Sequence, residues 1–284
     1  MQRRLLLQAA TAAGLTLQFS GTFAAPRRIV SVGGALTETA YALGAQAELV
    51  GVDTTSLFPA AARALPSVGY ARQLSAEGVL SLAPSLVVAS DEAGPATVLR
   101  QLEAAKVPVH LLASAHSIEG TAARTEKLGA LLGRADAGRA LAQQIRQDAA
   151  AARDRATAQH RAAPPRVLFV LAHSMSQLRV AGEGTGADAM IRLAGARNAL
   201  AGVEGYKPLN AEAALAAAPE WILTTDQGLE AAGGVEGLLK APGLANTTAG
   251  RARRVASMDA LLLLGFGPRL PAAIQALAQG LTVR

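Results

Sequence analysis

Two stretches of this sequence resemble each other at a constant distance along the chain, and this internal repeat constrains the fold more than any other feature. Residues 74–88 align without a gap with residues 209–223, at an offset of 135. Leu, Ala, Glu, Leu, Ala and Pro occupy matching places, and each copy joins a short helical pattern to an apolar strand. Ser75 and Asn210 precede the two helices as N-cap residues. The repeat predicts two units of similar topology.

A long helical pattern separates the two copies. Within residues 135–160, apolar side chains recur at spacings of four, four and three, at Leu141, Ile145, Ala149 and Ala152. A helix of this length reaches about 39 Å, which is enough to cross from one unit to the other. The proline pair at 164–165 ends it.

Outside this helix, short apolar strands alternate with helices. The strand patterns cover 28–32, 49–52, 86–89, 107–112, 166–171 and 221–224. Because the strands are uninterrupted apolar runs, we expect parallel sheets covered on both faces. The predicted fold is α/β, with two Rossmann-like lobes of mostly parallel sheet joined by a single long α-helix. Its predicted parts are an N-terminal lobe, a connecting helix and a C-terminal lobe, at 25–134, 135–163 and 164–284.

The first 24 residues have the pattern of a signal peptide. Arg3 and Arg4 provide the positive end, residues 5–19 are uncharged and largely apolar, and Thr22-Phe23-Ala24 fits a cleavage site. The arginine pair is compatible with either the Sec or the twin-arginine route. The apolar run is too short and too polar to span a bilayer comfortably. We therefore expect an exported, periplasmic protein without stable membrane insertion.

Composition excludes several classes of function. The chain has no cysteine, which removes disulfides, zinc–thiolate sites and thiol nucleophiles. Its net charge of +6 is scattered rather than arranged in a basic stripe with aromatic residues, so nucleic-acid binding is not expected. The glycine-rich turn at 182–186 matches neither a dinucleotide-binding nor a Walker motif. No hydrolase elbow or H-E-x-x-H pattern occurs, so we expect no enzyme; an exported α/β enzyme is the distant alternative.

Three motifs carry a resemblance to a known family. They lie at residues 65–77, which contain Val68-Gly69-Tyr70-Ala71-Arg72, and at 204–209 and 263–269. With the signal peptide and the helix-bridged lobes, they make the chain similar to the haem-binding branch of the class III, helical-backbone solute-binding proteins of bacterial ABC importers. The resemblance covers the whole mature chain. It implies a monomeric carrier that binds haem between its lobes and delivers it to an ABC permease with its ATPase.

The resemblance implies that Tyr70 is the axial ligand of the haem iron. A phenolate is a hard anionic ligand that suits ferric iron, and tyrosine is a known type of haem ligand. The cation of Arg72 would favour the phenolate form. If this segment is extended, residues two apart point the same way, and Arg72 can then reach the Tyr70 oxygen.

Other residues receive roles from the same resemblance. His173 follows the first strand of the second lobe, where a second, stacked haem is ligated in some members, although Ser174 and Met175 depart from the glycines expected there. The candidate partners of the propionates are Arg72, Lys207 and Arg269. The candidate walls of the haem pocket are Tyr206 and Phe266. His110, His116 and His160 show no ligand spacing and stay unassigned.

The matched acids of the repeat, Glu77 and Glu212, admit two interpretations. Each lies in the first turn of a helix, where a carboxylate complements the helix dipole. The resemblance implies instead that one exposed glutamate on each lobe docks onto the permease.

A different cargo is the main rival hypothesis. A siderophore- or cobalamin-binding protein would share the fold, the paired acids and the exported location. Neither cargo requires a tyrosine followed two residues later by an arginine, and an anionic siderophore would need several converging arginines that this sequence does not mark.

Overall fold

The computed structural model describes residues 27–114, 116–172 and 178–282. The predicted signal peptide at 1–24 and His173 lie outside the described residues. Among the described helices, none is long and apolar enough to cross a membrane.

The N-terminal lobe is built on a parallel sheet. Its strands are β1 (Ile29–Val32), β2 (Leu49–Val52), β3 (Leu86–Ser90) and β4 (Val109–Leu112), in the order β2-β1-β3-β4. Its helices are α1 (Gly34–Ala42), α2 (Ala76–Leu80), α3 (Ala96–Ala104) and α4 (Ile118–Leu131). The β-branched residues of β1 are buried on both faces of the sheet, as predicted from their uninterrupted apolar sequence.

The long helix α5 spans Ala135–Gln159 and packs against α4. Its buried residues form one stripe, which consists of Gly138, Ala142, Ile145, Ala149, Ala152 and Ala156. The contact with α4 is close because two glycines meet there: a Cβ on Gly129 would lie 2.7 Å from Cα of Gly138. The predicted helix and its apolar face are confirmed, with Ala142 rather than Leu141 fully buried.

The C-terminal lobe contains a mixed sheet. Its strands are β5 (Arg166–Leu171), β6 (Arg179–Ala181), β7 (Arg197–Asn198), β8 (Tyr206–Pro208), β9 (Trp221–Thr225) and β10 (Val255–Met258), and the order is β10-β9-β5-β6-β8 with β7 beside β5. Strands β10, β9, β5 and β7 run parallel, whereas β6 and β8 pair antiparallel.

Helices cover this second sheet. They are α6 (Gly186–Leu193), α7 (Ala211–Ala216), α8 (Asp226–Ala231), α9 (Gly234–Leu239), α10 (Thr248–Arg251), α11 (Ala260–Leu264) and α12 (Leu270–Gly280). Helix α12 packs against α5, which therefore contacts a helix of each lobe. The predicted α/β fold of two lobes bridged by one helix is confirmed.

The internal repeat is a structural repeat. Strands β3 and β9 begin and end at residues that are 135 apart, and a short helix, α2 or α7, precedes each. Ser75 accepts a hydrogen bond from the backbone N–H of Gly78, and Asn210 accepts one from that of Ala213. Ala83 and Ala218, the alanines before the matched prolines, both adopt positive φ, at 44° and 42°. The two lobes therefore share a helix–turn–strand unit, with nearly the same φ at the alanine of the turn.

Candidate ligand-binding cleft

A cleft of about 350 Å³ lies between the two lobes. Its N-terminal wall is formed by residues that follow the four parallel strands β1 to β4, and its opposite wall consists of Gln227, Ala260, Leu261, Leu264 and Gly265. The carboxyl ends of parallel strands are where open α/β sheets bind ligands. The cleft volume falls within the range of small-molecule sites.

Tyr70 lies at this cleft with 44% of its surface exposed. Its loop is tied to the end of β2, because Val68 donates to the carbonyl of Val52 and Thr54 donates to the carbonyl of Gly69. Gly69 has a φ of +91°, a conformation that favours glycine and turns the chain immediately before the tyrosine. The phenol is therefore presented to the cleft from an anchored loop.

Arg72 also lines the cleft, but the expected extended segment is not present. Residues Ala71–Gln73 form a 3₁₀ turn, so Tyr70 and Arg72 are not two residues apart on one side of an extended segment. Its Nη2 donates to Oε2 of Glu92 at 2.7 Å. This hydrogen bond is the main reason that the pKa of Arg72 is raised, and the charges of Tyr70 and Tyr206 raise it further. The guanidinium therefore lies within electrostatic range of both tyrosines while it is paired with Glu92.

Tyr206 of the C-terminal lobe lies within electrostatic range of Glu92 and Arg72. Burial raises its pKa, and the charge of Glu92 adds to this effect, whereas Arg72 and Arg179 oppose it. Its backbone carbonyl accepts a hydrogen bond from Arg179 at 2.7 Å, which fixes the position of β8. Tyr206 packs against the core of the C-terminal lobe, and neither it nor the exposed Lys207 is among the residues that line the cleft, contrary to the expectation that Tyr206 forms a wall.

Phe266 does not form a wall of the cleft, contrary to the expectation from sequence. Only 1% of its surface is exposed, because its side chain packs into the core of the C-terminal lobe. Its ring centroid lies 5.1 Å from that of His116, which lines the cleft. Burial lowers the pKa of His116, and the neighbouring Arg124 lowers it further, against the charges of Glu92 and Asp91.

Arg269 is engaged between the lobes rather than free for a ligand carboxylate. Its Nη2 donates to Glu38 Oε2 at 2.8 Å, and its backbone N–H donates to Oε1 at 3.1 Å. Its guanidinium also lies 3.6 Å from the ring centroid of Phe58. The Glu38 side chain is 5% exposed and that of Arg269 is 27% exposed, so the carboxylate of this ion pair is buried and the guanidinium is partly buried. Arg269 is therefore held by Glu38 and Phe58 and is not free to pair with a propionate, contrary to the expectation from sequence.

A second arginine bridges the lobes in the reverse direction. Arg124 of α4 donates to the backbone carbonyls of Gly265 and Phe266, at 3.2 and 2.6 Å. These contacts explain the motif at 263–269: it joins the C-terminal lobe to the N-terminal lobe beside the cleft.

The matched acids Glu77 and Glu212 are both exposed. Each lies in the first turn of its helix, beside an N-cap side chain that already accepts a backbone hydrogen bond. Leu215, one turn after Glu212, is 46% exposed. The structure thus presents one acid at an equivalent surface position of each lobe.

The sequence did not identify Glu92 and His116 as cleft residues. It also did not reveal that a Gly-Tyr pair, which contains Tyr70 or Tyr206, precedes each copy of the repeat. Glu92 and His116 follow β3 and β4, so their positions at strand ends were the available signal. Gly69-Tyr70 and Gly205-Tyr206 precede the repeated Leu-x-Ala-Glu segments and differ by one residue in spacing. Gly205, like Gly69, has positive φ, at 68°.

Two α/β lobes, one bridging helix and a ligand-sized cleft at the strand ends define a two-lobed binding protein. The chain belongs to the periplasmic binding protein family, whose model matches residues 29–262. Membership in a family of binding proteins agrees with the expectation that the chain is not an enzyme.

Known proteins of this kind include haem and cobalamin binders. The solved structure of the periplasmic heme-binding protein BhuT in complex with two hemes is 52% identical, with a TM-score of 0.85, and covers 89% of this chain and 97% of that one. An uncharacterized ABC transporter substrate-binding lipoprotein of Bacillus subtilis, YvrC, is 28% identical over 90% of this chain and 80% of its own length. A cobalamin-binding protein of Halobacterium salinarum is 31% identical over 70% of this chain, and the match spans 54% of that protein.

Proposed function

We propose that this protein is the periplasmic haem-binding component of an ABC importer. It captures haem in the cleft between its lobes, ligates the iron through Tyr70 and delivers the haem to the permease and its ATPase. We infer that it acts as a monomer in the periplasm, after removal of residues 1–24. The observation that carries the proposal is the position of Tyr70, an exposed phenol held at a cleft beside a cationic side chain.

The residues of the cleft fit the chemistry of haem. Haem is a flat apolar disc with a ferric centre and two carboxylates. Leu57, Leu261 and Leu264 supply apolar surface, Tyr70 supplies a hard oxygen ligand and Arg72 supplies a positive charge. Tyr70 would bind the iron as a phenolate, with the iron in the place of the phenol proton, and Arg72 supplies a positive charge in the same cleft.

The similarity to BhuT supports haem over cobalamin as the cargo. That protein is described with bound hemes and matches at 52% identity over 89% of this chain, whereas the cobalamin-binding relative matches at 31% over 70%. The Tyr70–Arg72 pair supports the same choice, because the iron of ferric haem has an open axial position for a protein oxygen, whereas the cobalt of cobalamin already carries an axial base that belongs to the cofactor.

Titration of the purified mature protein with hemin tests the proposal. We expect saturable binding and a high-spin absorption spectrum of the tyrosinate-ligated ferric type. A parallel titration with cobalamin should show no saturable binding. A spectrum that stays that of free hemin, together with tight cobalamin binding, would assign the protein to the rival cargo.

Docking of the protein onto its permease is expected to depend on Glu77 and Glu212. Reversal of both charges, Glu77→Arg with Glu212→Arg, should reduce haem uptake by at least about tenfold, because like charges placed against each other in an interface cost several kcal/mol. Uptake is measured in cells that carry the cognate permease, and hemin binding by the purified variant should be unchanged.

The matched control for this variant is Glu103→Arg, which reverses an exposed acid on α3. It should leave uptake at the level of the unmodified protein. If the control and the double variant reduce uptake equally, the two acids have no special role in docking.

A further inference from the structure

Glu92 introduces a negative charge into a cleft for which we propose a ligand that carries carboxylates. It follows β3 and lines the cleft, as does its partner Arg72. The two side chains form an ion pair with a shortest N–O distance of 2.7 Å, and they are 50% and 57% exposed. An acid in this place repels the propionates of haem, so its presence in the cleft needs an explanation.

The ion pair neutralises the cation that the ligand would use. Arg72 and Glu92 line the cleft together with Tyr70 and His116, and both charges also act electrostatically on Tyr206 of the second lobe. Glu92 accepts from Nη2 of Arg72. A guanidinium offers five N–H donors, but its single positive charge can be compensated fully by only one carboxylate.

We propose that Glu92 is a specificity-determining residue that occupies Arg72 in the ligand-free protein and is displaced by a carboxylate of the ligand. This inference rests on the proposed function. Because both side chains are about half exposed, Glu92 can turn into solvent at little cost, since exposed ion pairs contribute little to stability. A ligand with a free carboxylate replaces Glu92 on Arg72, whereas a ligand without one leaves the ion pair in place. The exchange therefore lowers the affinity of the cleft for porphyrins that carry free propionates and leaves its affinity for porphyrins without them unchanged.

The variant Glu92→Gln tests this exchange, because it keeps the shape of the side chain and removes its charge. An exposed ion pair is worth up to about 1 kcal/mol, so its loss as a competitor should tighten hemin binding by about threefold to fivefold. The same variant should bind hemin dimethyl ester, whose propionates are blocked, with unchanged affinity. In a protein that already carries Arg72→Gln, the further substitution Glu92→Gln should change hemin affinity little, because Glu92 then has no arginine to occupy.

The control is Glu119→Gln, which removes the charge of another exposed glutamate paired with an arginine, Arg146, away from the cleft lining. It should leave hemin affinity unchanged. The inference is overturned if Glu92→Gln weakens hemin binding, which would make Glu92 a residue that positions Arg72. It is also overturned if the dimethyl ester gains as much as hemin, or if both glutamine variants give the same gain. Failure of the proposed function is a separate result: the unmodified protein would then not bind hemin.

Discussion

Replacement of Tyr70 by phenylalanine is expected to leave the protein folded and to remove its tyrosinate-type haem spectrum. The ring is 44% exposed, so loss of its hydroxyl leaves no unpaired polar group in the core. Changes to residues that merely support a metal ligand cost 10–100-fold in affinity, so loss of the ligand itself should weaken hemin binding by at least about a hundredfold. Absorption spectroscopy and hemin titration measure both effects.

The two other tyrosines of the chain provide matched controls. Tyr41 lies on α1, and Tyr206 lies on β8 of the second lobe, outside the residues that line the cleft. Both Tyr41→Phe and Tyr206→Phe should keep the high-spin tyrosinate spectrum. If Tyr70→Phe keeps that spectrum and Tyr206→Phe loses it, the ligand belongs to the other lobe and the assignment of Tyr70 is wrong.

Arg269→Met is expected to give the largest loss of stability. It leaves the carboxylate of Glu38, which is 5% exposed, without its charged partner. Removal of one member of a buried ion pair costs about 3–5 kcal/mol, and the lower figure applies here because the Arg269 side chain is 27% exposed. At the lower figure the thermal midpoint should fall by roughly 6–12 °C. Differential scanning calorimetry measures the midpoint, and urea unfolding gives an independent estimate of the change in unfolding free energy.

Two further variants test the cause of this loss. Arg253→Met removes an arginine from an exposed pair with Glu236 and should leave the midpoint nearly unchanged. Glu38→Gln added to Arg269→Met should recover part of the stability, because the buried group is then no longer charged. Equal midpoints for Arg269→Met and Arg253→Met would show that the Glu38 contact does not hold the lobes together.

Most elements of the fold were predictable because local signals agree with the tertiary structure. The apolar runs at 29–32 and 86–90 are central strands, and their burial on both faces explains why they show no alternation. Ser117 caps α4 by accepting a hydrogen bond from the backbone N–H of Gly120, and serine is a preferred residue at this place before a helix. The repeat was readable because each lobe uses the same capped helix and turn before its strand.

The antiparallel strands β6 and β8 were not predictable from periodicity. Each has three residues, and a run this short shows no alternation that separates a strand from a loop. Their pairing depends on contacts between segments about 27 residues apart, such as that of Ala181 with Tyr206. The parallel pattern elsewhere in the chain therefore predicted a mostly parallel sheet without this edge.

The candidate site was predictable where one segment forms it, and not where two lobes meet. Tyr70 and Arg72 lie at the cleft, as expected from one continuous motif. The pairing of Arg269 with Glu38 joins residues 231 apart, and a short motif carries no information about such a partner. For the same reason, the motif at 263–269 suggested Phe266 as a wall, whereas tertiary packing buries Phe266 and places His116 at the cleft.

The central claim is that the Tyr70 phenolate binds the iron of haem held between the lobes. A crystal structure of the protein loaded with hemin tests it most directly. We expect the iron to be bonded to the Tyr70 Oη, with the porphyrin in the cleft and one propionate on Arg72 in the place of Glu92. A structure in which the iron is bound by another residue, or in which hemin lies outside the cleft, would contradict the account.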